Sequence, residues 1–175
     1  MKKYQKLFGL VFIIILSISI FVFRDKFTNL QEYGYLGLFL ISVIGNATIV
    51  LPVPVVITAF LGGGIFNPFW VAVIVSLGAT IGELTGYIAG ASGKYLIDEN
   101  QKIEKVKKWM DKYGLWTLFI LAAVPNPFFD LAGIVAGATK VPVYKYLIVV
   151  TLGKLIKFGM ISYLGAGAFG ILAPR

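Results

Sequence analysis

Residues 115–138 read LWTLFILAAV-PNP-FFDLAGIVAGA. A ten-residue apolar arm, Leu115 to Val124, meets the break Pro125-Asn126-Pro127, and a second short apolar arm runs from Phe128 to Ala138. Proline inside a helical pattern ends it. At about 1.5 Å per residue each arm reaches roughly 15 Å, half of a hydrocarbon core about 30 Å thick. Neither arm crosses alone, so the stretch reads as a re-entrant hairpin.

The same pattern stands earlier in the chain. Tyr35 to Phe66 is apolar and is broken at Pro52-Val53-Pro54. Its first arm runs from Tyr35 to Leu51, and its second, shorter arm from Val55 to Phe66. The second arm is about 18 Å long and also too short to cross. Asn46, Pro52 and Pro54 mark this hairpin's break. A full span follows each hairpin: Phe69 to Ser92 and Val143 to Leu172. Pro68 precedes the first and Pro142 the second. Pro68 to Glu83 and Pro142 to Lys157 cover equal lengths of chain, which predicts one ionisable group at the same depth in each half.

The expected fold is therefore all-α and polytopic. It is an inverted repeat of re-entrant hairpin plus transmembrane helix, with an N-terminal anchor helix and an amphipathic connecting helix. Residues 1–34 hold the anchor, an uncleaved apolar run from Leu7 to Phe23, and its loop. Residues 35–172 are the membrane domain: repeat one is 35–92, the connector 93–113 and repeat two 114–172. In the connector Ile103, Val106, Trp109, Met110 and Tyr113 recur at helical spacing among lysines, which predicts a helix lying at the membrane interface.

Composition agrees. Of 175 residues 58% are apolar and 14% charged, and the mean hydropathy is +0.87. Soluble domains carry about a quarter charged residues. There is no Cys and no His. That removes disulfides, thiolate metal sites and the commonest general base, so no enzyme, no metal and no cofactor are expected. The net charge of +8 reads as membrane orientation and not as nucleic-acid binding. With the N-terminus inside, eleven lysines (2, 3, 6, 94, 102, 105, 107, 108, 112, 140 and 145) lie inside. Arg24, Lys26 and Arg175 lie outside. This distribution predicts a cytoplasmic N-terminus in a cytoplasmic (inner) membrane, with the two hairpins entering from opposite faces. Opposed hairpins bracket a midplane substrate site in transporters.

Several residues carry chemistry in this frame. Asn126 suits a helix N-cap and Pro127 the first helical position, so Pro125, Asn126 and Pro127 start a half-helix whose free N–H groups attract an anion such as phosphate. Asp130 lies one turn on, either stabilising the dipole or binding a proton. Glu83, Lys154 and Lys157 lie within the spans, and a charge there is costly unless paired. Glu83 with Lys154 or with Lys157 is either a structural ion pair or a switch. Gly78, Gly82, Gly86 and Gly90 form a stripe for close helix packing.

These residues resemble a family. Gly78-Ala79-Thr80-x-Gly82 with Tyr87, Gly90 and Gly93, then Val124-Pro125-x-Pro127-Phe128-x-Asp130-Leu131-Ala132-Gly133-x-x-x-Gly137, look like the VTT domain of the SNARE-associated Golgi protein, or DedA, superfamily. The resemblance covers roughly residues 35–165. It implies two opposed re-entrant hairpins and movement of lipids between leaflets, including undecaprenyl phosphate flipping and phospholipid scrambling, with proton coupling in some members. It also implies acidic residues in the first hairpin and arginines around the second. Here Gly45, Asn46 and Val55 stand where acids are expected, and Leu121, Ala122 and Ala123 where arginine is expected. Energy-independent scrambling, or a diverged substrate, fits the missing charges better than proton-coupled transport.

Three functions remain open. The first is a transporter or scramblase of a phosphate-bearing lipid, with Pro125, Asn126, Pro127, Lys154 and Lys157 at the substrate and Asp130 and Glu83 handling protons. The second is a proton- or cation-coupled carrier of a small solute. The third is a membrane scaffold without transport. Expected partners are membrane lipids with anionic head groups and no nucleic acid.

Overall fold

A computed structural model describes residues 31–47, 55–92, 101–125 and 129–172, and every regular element among them is a helix. In chain order these are α1 (Gln31–Ala47), α2 (Val55–Ile65), α3 (Pro68–Ala91), α4 (Gln101–Tyr113), α5 (Leu115–Ala123), α6 (Phe129–Ala138) and α7 (Val143–Leu172). The expected anchor at Leu7–Phe23, residues 93–100 of the connector and both proline breaks (Pro52 with Pro54, Asn126 with Pro127) lie outside the described residues.

Lengths sort the helices. α3 has 24 residues and α7 has 30, both long and apolar enough to cross a membrane. α2, α5 and α6 have 11, 9 and 10 residues, so each extends only about 14–16 Å. The outer faces are apolar as well. On α7 Ile148, Leu152, Ile156, Met160 and Leu164 are exposed at every fourth position, and on α1 Leu36, Leu40 and Ile44 are too. In water such continuous stripes would be an aggregation hazard; against acyl chains they are the required surface.

Local chemistry sets the ends. Asn67 caps α3: its Oδ1 accepts from the N–H of Phe69 and Trp70, and Pro68 takes the first helical position, where no N–H is needed. Gly114, at φ +57°, makes the sharp turn from α4 into α5, a conformation that costs glycine nothing.

Close backbone approach assembles the bundle, and it does so twice with one pattern. A Cβ built on Gly63 of α2 would meet the Ser162 carbonyl oxygen at 2.0 Å, and one on Gly165 of α7 would meet that of Phe60 at 1.8 Å. In the other half, a Cβ on Gly137 of α6 would meet the Tyr87 oxygen at 1.9 Å, and one on Gly90 of α3 that of Ile134 at 1.9 Å. Both pairs run antiparallel. The short helix of each half thus packs on the long helix of the other. A third contact repeats too: Gly78 faces the Phe39 carbonyl of α1, and Gly153 the Phe119 carbonyl of α5, each at 2.6 Å from the built Cβ.

These contacts correct one expectation. Gly78 matches Gly153, Tyr87 matches Ser162 and Gly90 matches Gly165, all with one common offset along the chain. That offset is longer by a single position than the one between Pro68 and Pro142. The counterpart of Glu83 is therefore buried Phe158, and the counterpart of Lys157 is Gly82. The two halves do not carry matched ionisable groups. The glycine stripe also serves two partners: Gly78 and Gly82 lie on α1, and Gly90 on α6.

α4 is amphipathic, but its apolar face meets protein. Ile103, Val106 and Met110 are buried with Leu118, Ala136 and Tyr146 in one of the two cores. A short helix buries its apolar stripe wherever a complementary face lies, and α5 and α6 supply one. Its polar face carries the exposed pair Lys108–Glu104 at 2.8 Å, and the hydrogen bond from Lys108 holds the Glu104 carboxyl below its usual range.

Candidate functional site

The α3–α7 crossing carries the charge. Pro68 anchors one end, accepting a hydrogen bond at its carbonyl from Ser162 Oγ at 2.9 Å. Further along, Thr151 Oγ1 donates to Thr80 Oγ1 at 3.2 Å. One turn from there Lys154 Nζ lies 2.6 Å from Glu83 Oε1. Of the two lysines open to Glu83 in the sequence, the structure selects Lys154. Its side chain is fully buried, and that of Glu83 is 7% exposed. Removing two charges from water costs several kcal/mol each, and only close pairing offsets it.

The aromatic floor of the site comes from α6. Phe129, its first residue, is buried, and both Lys154 Nζ (5.2 Å) and Lys157 Nζ (5.7 Å) lie over its ring. Lys157 also lies 4.9 Å from the Phe158 ring centroid. It is half-buried and, among the described residues, has no ion-pair partner. Two cations therefore share one ring beside one paired carboxylate. Asp130 follows Phe129 in the first turn of α6 and is exposed.

Among the described residues three buried polar atoms are left without hydrogen bonds: Glu83 Oε2, the Tyr146 hydroxyl and Lys154 Nζ, which has its ion pair with Glu83 Oε1 instead. Tyr146 is fully buried and stacks at 5.0 Å on Tyr87, and its hydroxyl lies over Gly133, 3.1 Å from where a Cβ would stand. Tyr87 differs, since its own hydroxyl donates to the Val141 carbonyl. An unsatisfied buried hydroxyl costs about 1–3 kcal/mol. Open hydrogen-bonding capacity therefore lies beside the ion pair.

The other predicted site residues fall apart from this cluster or beyond the described residues. Pro125 is exposed at the end of α5, after Val124 caps that helix. Asn126, Pro127, Pro52 and Pro54 lie outside the described residues. Asn46 makes a local bond, its Nδ2 donating to the Ser42 carbonyl at 2.8 Å, one turn back on α1. Sequence reasoning missed Phe129 and Tyr146. Phe129 was legible only as the neighbour of Asp130. Tyr146 was legible only through its spacing from Tyr144: two steps along a helix turn it by about 200°, so one of them faces inward.

The site has no counterpart across the repeat. By the offset that relates α3 to α7, the positions matching Glu83, Lys154 and Tyr146 are Phe158, Ala79 and Val71, all buried and packed together in the second core. Among the described residues Glu83 and Lys154 are the buried charges, and no charge is buried at the matching positions.

Comparison with known proteins places the chain in context. The VTT domain model matches residues 51–167. "Uncharacterized protein MJ0201" of Methanocaldococcus jannaschii is 29% identical over 153 residues, covering 82% of this chain and 92% of that protein. "Vacuole membrane protein KMS2" of Arabidopsis thaliana is 32% identical over 104 residues, 49% of this chain but only 25% of the plant protein. An "Alkaline phosphatase-like protein" of Lactococcus lactis is 28% identical over 157 residues, 78% of this chain and 72% of that protein. No solved structure matches.

Proposed function

The chain belongs to the VTT domain family, and on that premise we propose that it moves a phosphate-bearing lipid between the leaflets of a membrane. In this reading α1–α2 and α5–α6 are opposed re-entrant hairpins, α3 and α7 cross the bilayer, and the head group passes between the hairpins while acyl chains stay in lipid. The lysine distribution supports a cytoplasmic membrane and a cytoplasmic N-terminus.

One observation carries the proposal: an unpaired, half-buried lysine next to a buried ion pair. Lys157 sits one turn from the Lys154–Glu83 pair, and both lysines lie over Phe129. A phosphate entering here meets Lys157 first. It then competes with Glu83 for Lys154, and a proton taken up by Glu83 releases that lysine. Asn126 and Pro127, which precede α6 in the chain, complete the phosphate contacts, with Pro125 ending the arm before them and Asp130 as a second proton site. With the first hairpin uncharged, scrambling without an energy source is the mode this arrangement favours. The recurrence of the glycine contacts in both halves supports the inverted repeat, with Pro52, Pro54 and Asn46 at the first break. The absence of His and Cys from the whole chain favours transport over enzymatic chemistry.

Glu83 Oε2, buried and without a partner, supports a second reading, a proton- or cation-coupled carrier of a small solute. A membrane scaffold is the third. Leaflet exchange separates them. Purified protein in liposomes with fluorescent phospholipid or undecaprenyl phosphate should exchange lipid fast, and Asp130→Asn and Lys157→Ala should abolish it. Exchange no faster than in empty liposomes, with or without a proton gradient, would reject lipid movement.

A further inference from the structure

A cavity of about 300 Å³ opens where α4 ends and α7 begins, and neither Glu83 nor Lys154 lines it. Gly114, Leu115, Val141 and Pro142 line it, and Asp111 from α4 and Lys145 from α7 bring opposite charges to it. No ion pair joins these two, and neither has another charge partner among the described residues.

The same corner in the other half is closed. There the Phe66 ring packs on Tyr35 at 5.2 Å, and Asn67 caps the helix. By the offset that relates α3 to α7, Val141 matches Phe66, Pro142 matches Asn67 and Lys145 matches Trp70, while Leu115 takes the place of Tyr35. Two rings give way to two smaller side chains, and the space remains. The cap is lost too. The first bond of α7 runs from the Tyr146 N–H to the Pro142 carbonyl, and proline has no side-chain acceptor for the N–H groups before it. The fold can fill this corner and does so once; in the second half it is open and holds two unpaired charges.

We propose that this corner binds a zwitterionic head group in which a phosphodiester carries a primary amine, as in phosphatidylethanolamine. The phosphate faces Lys145 and the positive end of α7. The ammonium faces Asp111 and the negative end of α4. A purely anionic head group leaves Asp111 opposed by like charge, and a quaternary amine gives it no hydrogen bond. Exposed Tyr113, Trp116 and Tyr144 stand next in the chain to the lining residues Gly114, Leu115 and Lys145, and such residue types gather at head-group depth, so a bilayer lipid is the source.

The test is native mass spectrometry of the full chain, delipidated in detergent and titrated with phosphatidylethanolamine, phosphatidylglycerol or phosphatidylcholine. Phosphatidylethanolamine should bind about tenfold tighter than either other lipid, and Lys145→Ala should weaken it by about tenfold, the scale of one charged hydrogen bond. Asp111→Asn should abolish the preference over phosphatidylglycerol while keeping lipid binding. Val141→Phe with Pro142→Asn, which copies the closed corner and keeps both charges, should weaken binding while the melting temperature holds. Free phosphoethanolamine in excess should compete with the lipid; if it alone binds, the site takes a soluble amine phosphate and the lipid source is wrong. Equal binding of the three lipids, or binding unchanged in both charge variants, would overturn the proposal.

Discussion

Lys154 and Glu83 meet 2.6 Å apart where α7 crosses α3, with the lysine side chain fully buried and the carboxylate nearly so. The pair ties together the two helices that, among the described residues, are long enough to span a membrane. Breaking a buried pair on one side leaves a bare charge, which costs about 3–5 kcal/mol, whereas replacing both partners with apolar residues is often neutral. Glu83→Leu or Lys154→Met alone should therefore lower the melting temperature of the purified protein strongly. The double variant should recover most of the loss. Single variants as stable as the double would mean that water reaches the pair.

The glycine contacts predict a sharp positional contrast. A Cβ at Gly63, Gly90, Gly137 or Gly165 would sit 2.0 Å or less from a backbone oxygen on the opposing helix. Alanine there must push two helices apart, at about 1–3 kcal/mol or more. Gly159 and Gly167 of α7 have nothing within 4 Å. Alanine at those two should be neutral, or stabilising by about 0.5–1 kcal/mol, because glycine is the poorer helix former. Thermal denaturation of the six variants checks the contrast.

Tyr146 should separate stability from activity. Its buried hydroxyl has no hydrogen-bond partner, so Tyr146→Phe removes an unsatisfied group and should leave the melting temperature unchanged or raise it. If the hydroxyl serves the passing head group or the Glu83 carboxyl, lipid exchange slows in the same variant. A variant that is less stable and exchanges normally would show that the hydroxyl is already bonded, for example to water.

Tyr87→Phe should behave in the opposite way. The Tyr87 hydroxyl donates to the carbonyl of Val141, far along the chain. Its loss leaves a half-buried carbonyl unpaired at the turn into α7, a cost of about 1–3 kcal/mol. Hydrogen exchange at residues 139–146 should rise in this variant more than at the α2–α7 contact.

Much of the architecture was legible from the chain alone. The observed α7, Val143–Leu172, coincides with the expected span, and the expected short arms differ from α2, α5 and α6 by a residue. Those boundaries come from local chemistry: proline removes a donor, Asn67 caps, and apolar runs end where glycine or charge begins. The site was legible only in part. Glu83, Lys154 and Lys157 stood out because charge in an apolar span is rare. Phe129 and Tyr146 did not, because an aromatic residue in an apolar run looks the same facing lipid or lysine.

The sequence by itself determined how long α2, α3, α5, α6 and α7 are and that their surface suits lipid, since rise per residue, capping and hydropathy are properties of neighbours along the chain; α1 runs from Gln31 to Ala47, four residues earlier than the expected arm from Tyr35 to Leu51. Only the tertiary structure decided that Lys154 and not Lys157 pairs with Glu83, and that α4 buries its apolar face against α5 and α6. It also decided that the two spans match Gly78 to Gly153 and Gly90 to Gly165, a register that the leading prolines miss by a single position. Each of these depends on how far a helix is rotated and slid against a partner distant in sequence. A slip of a single position turns a helical side chain by about 100°. The backbone contacts of Gly90, Gly137, Gly63 and Gly165 are what set that rotation.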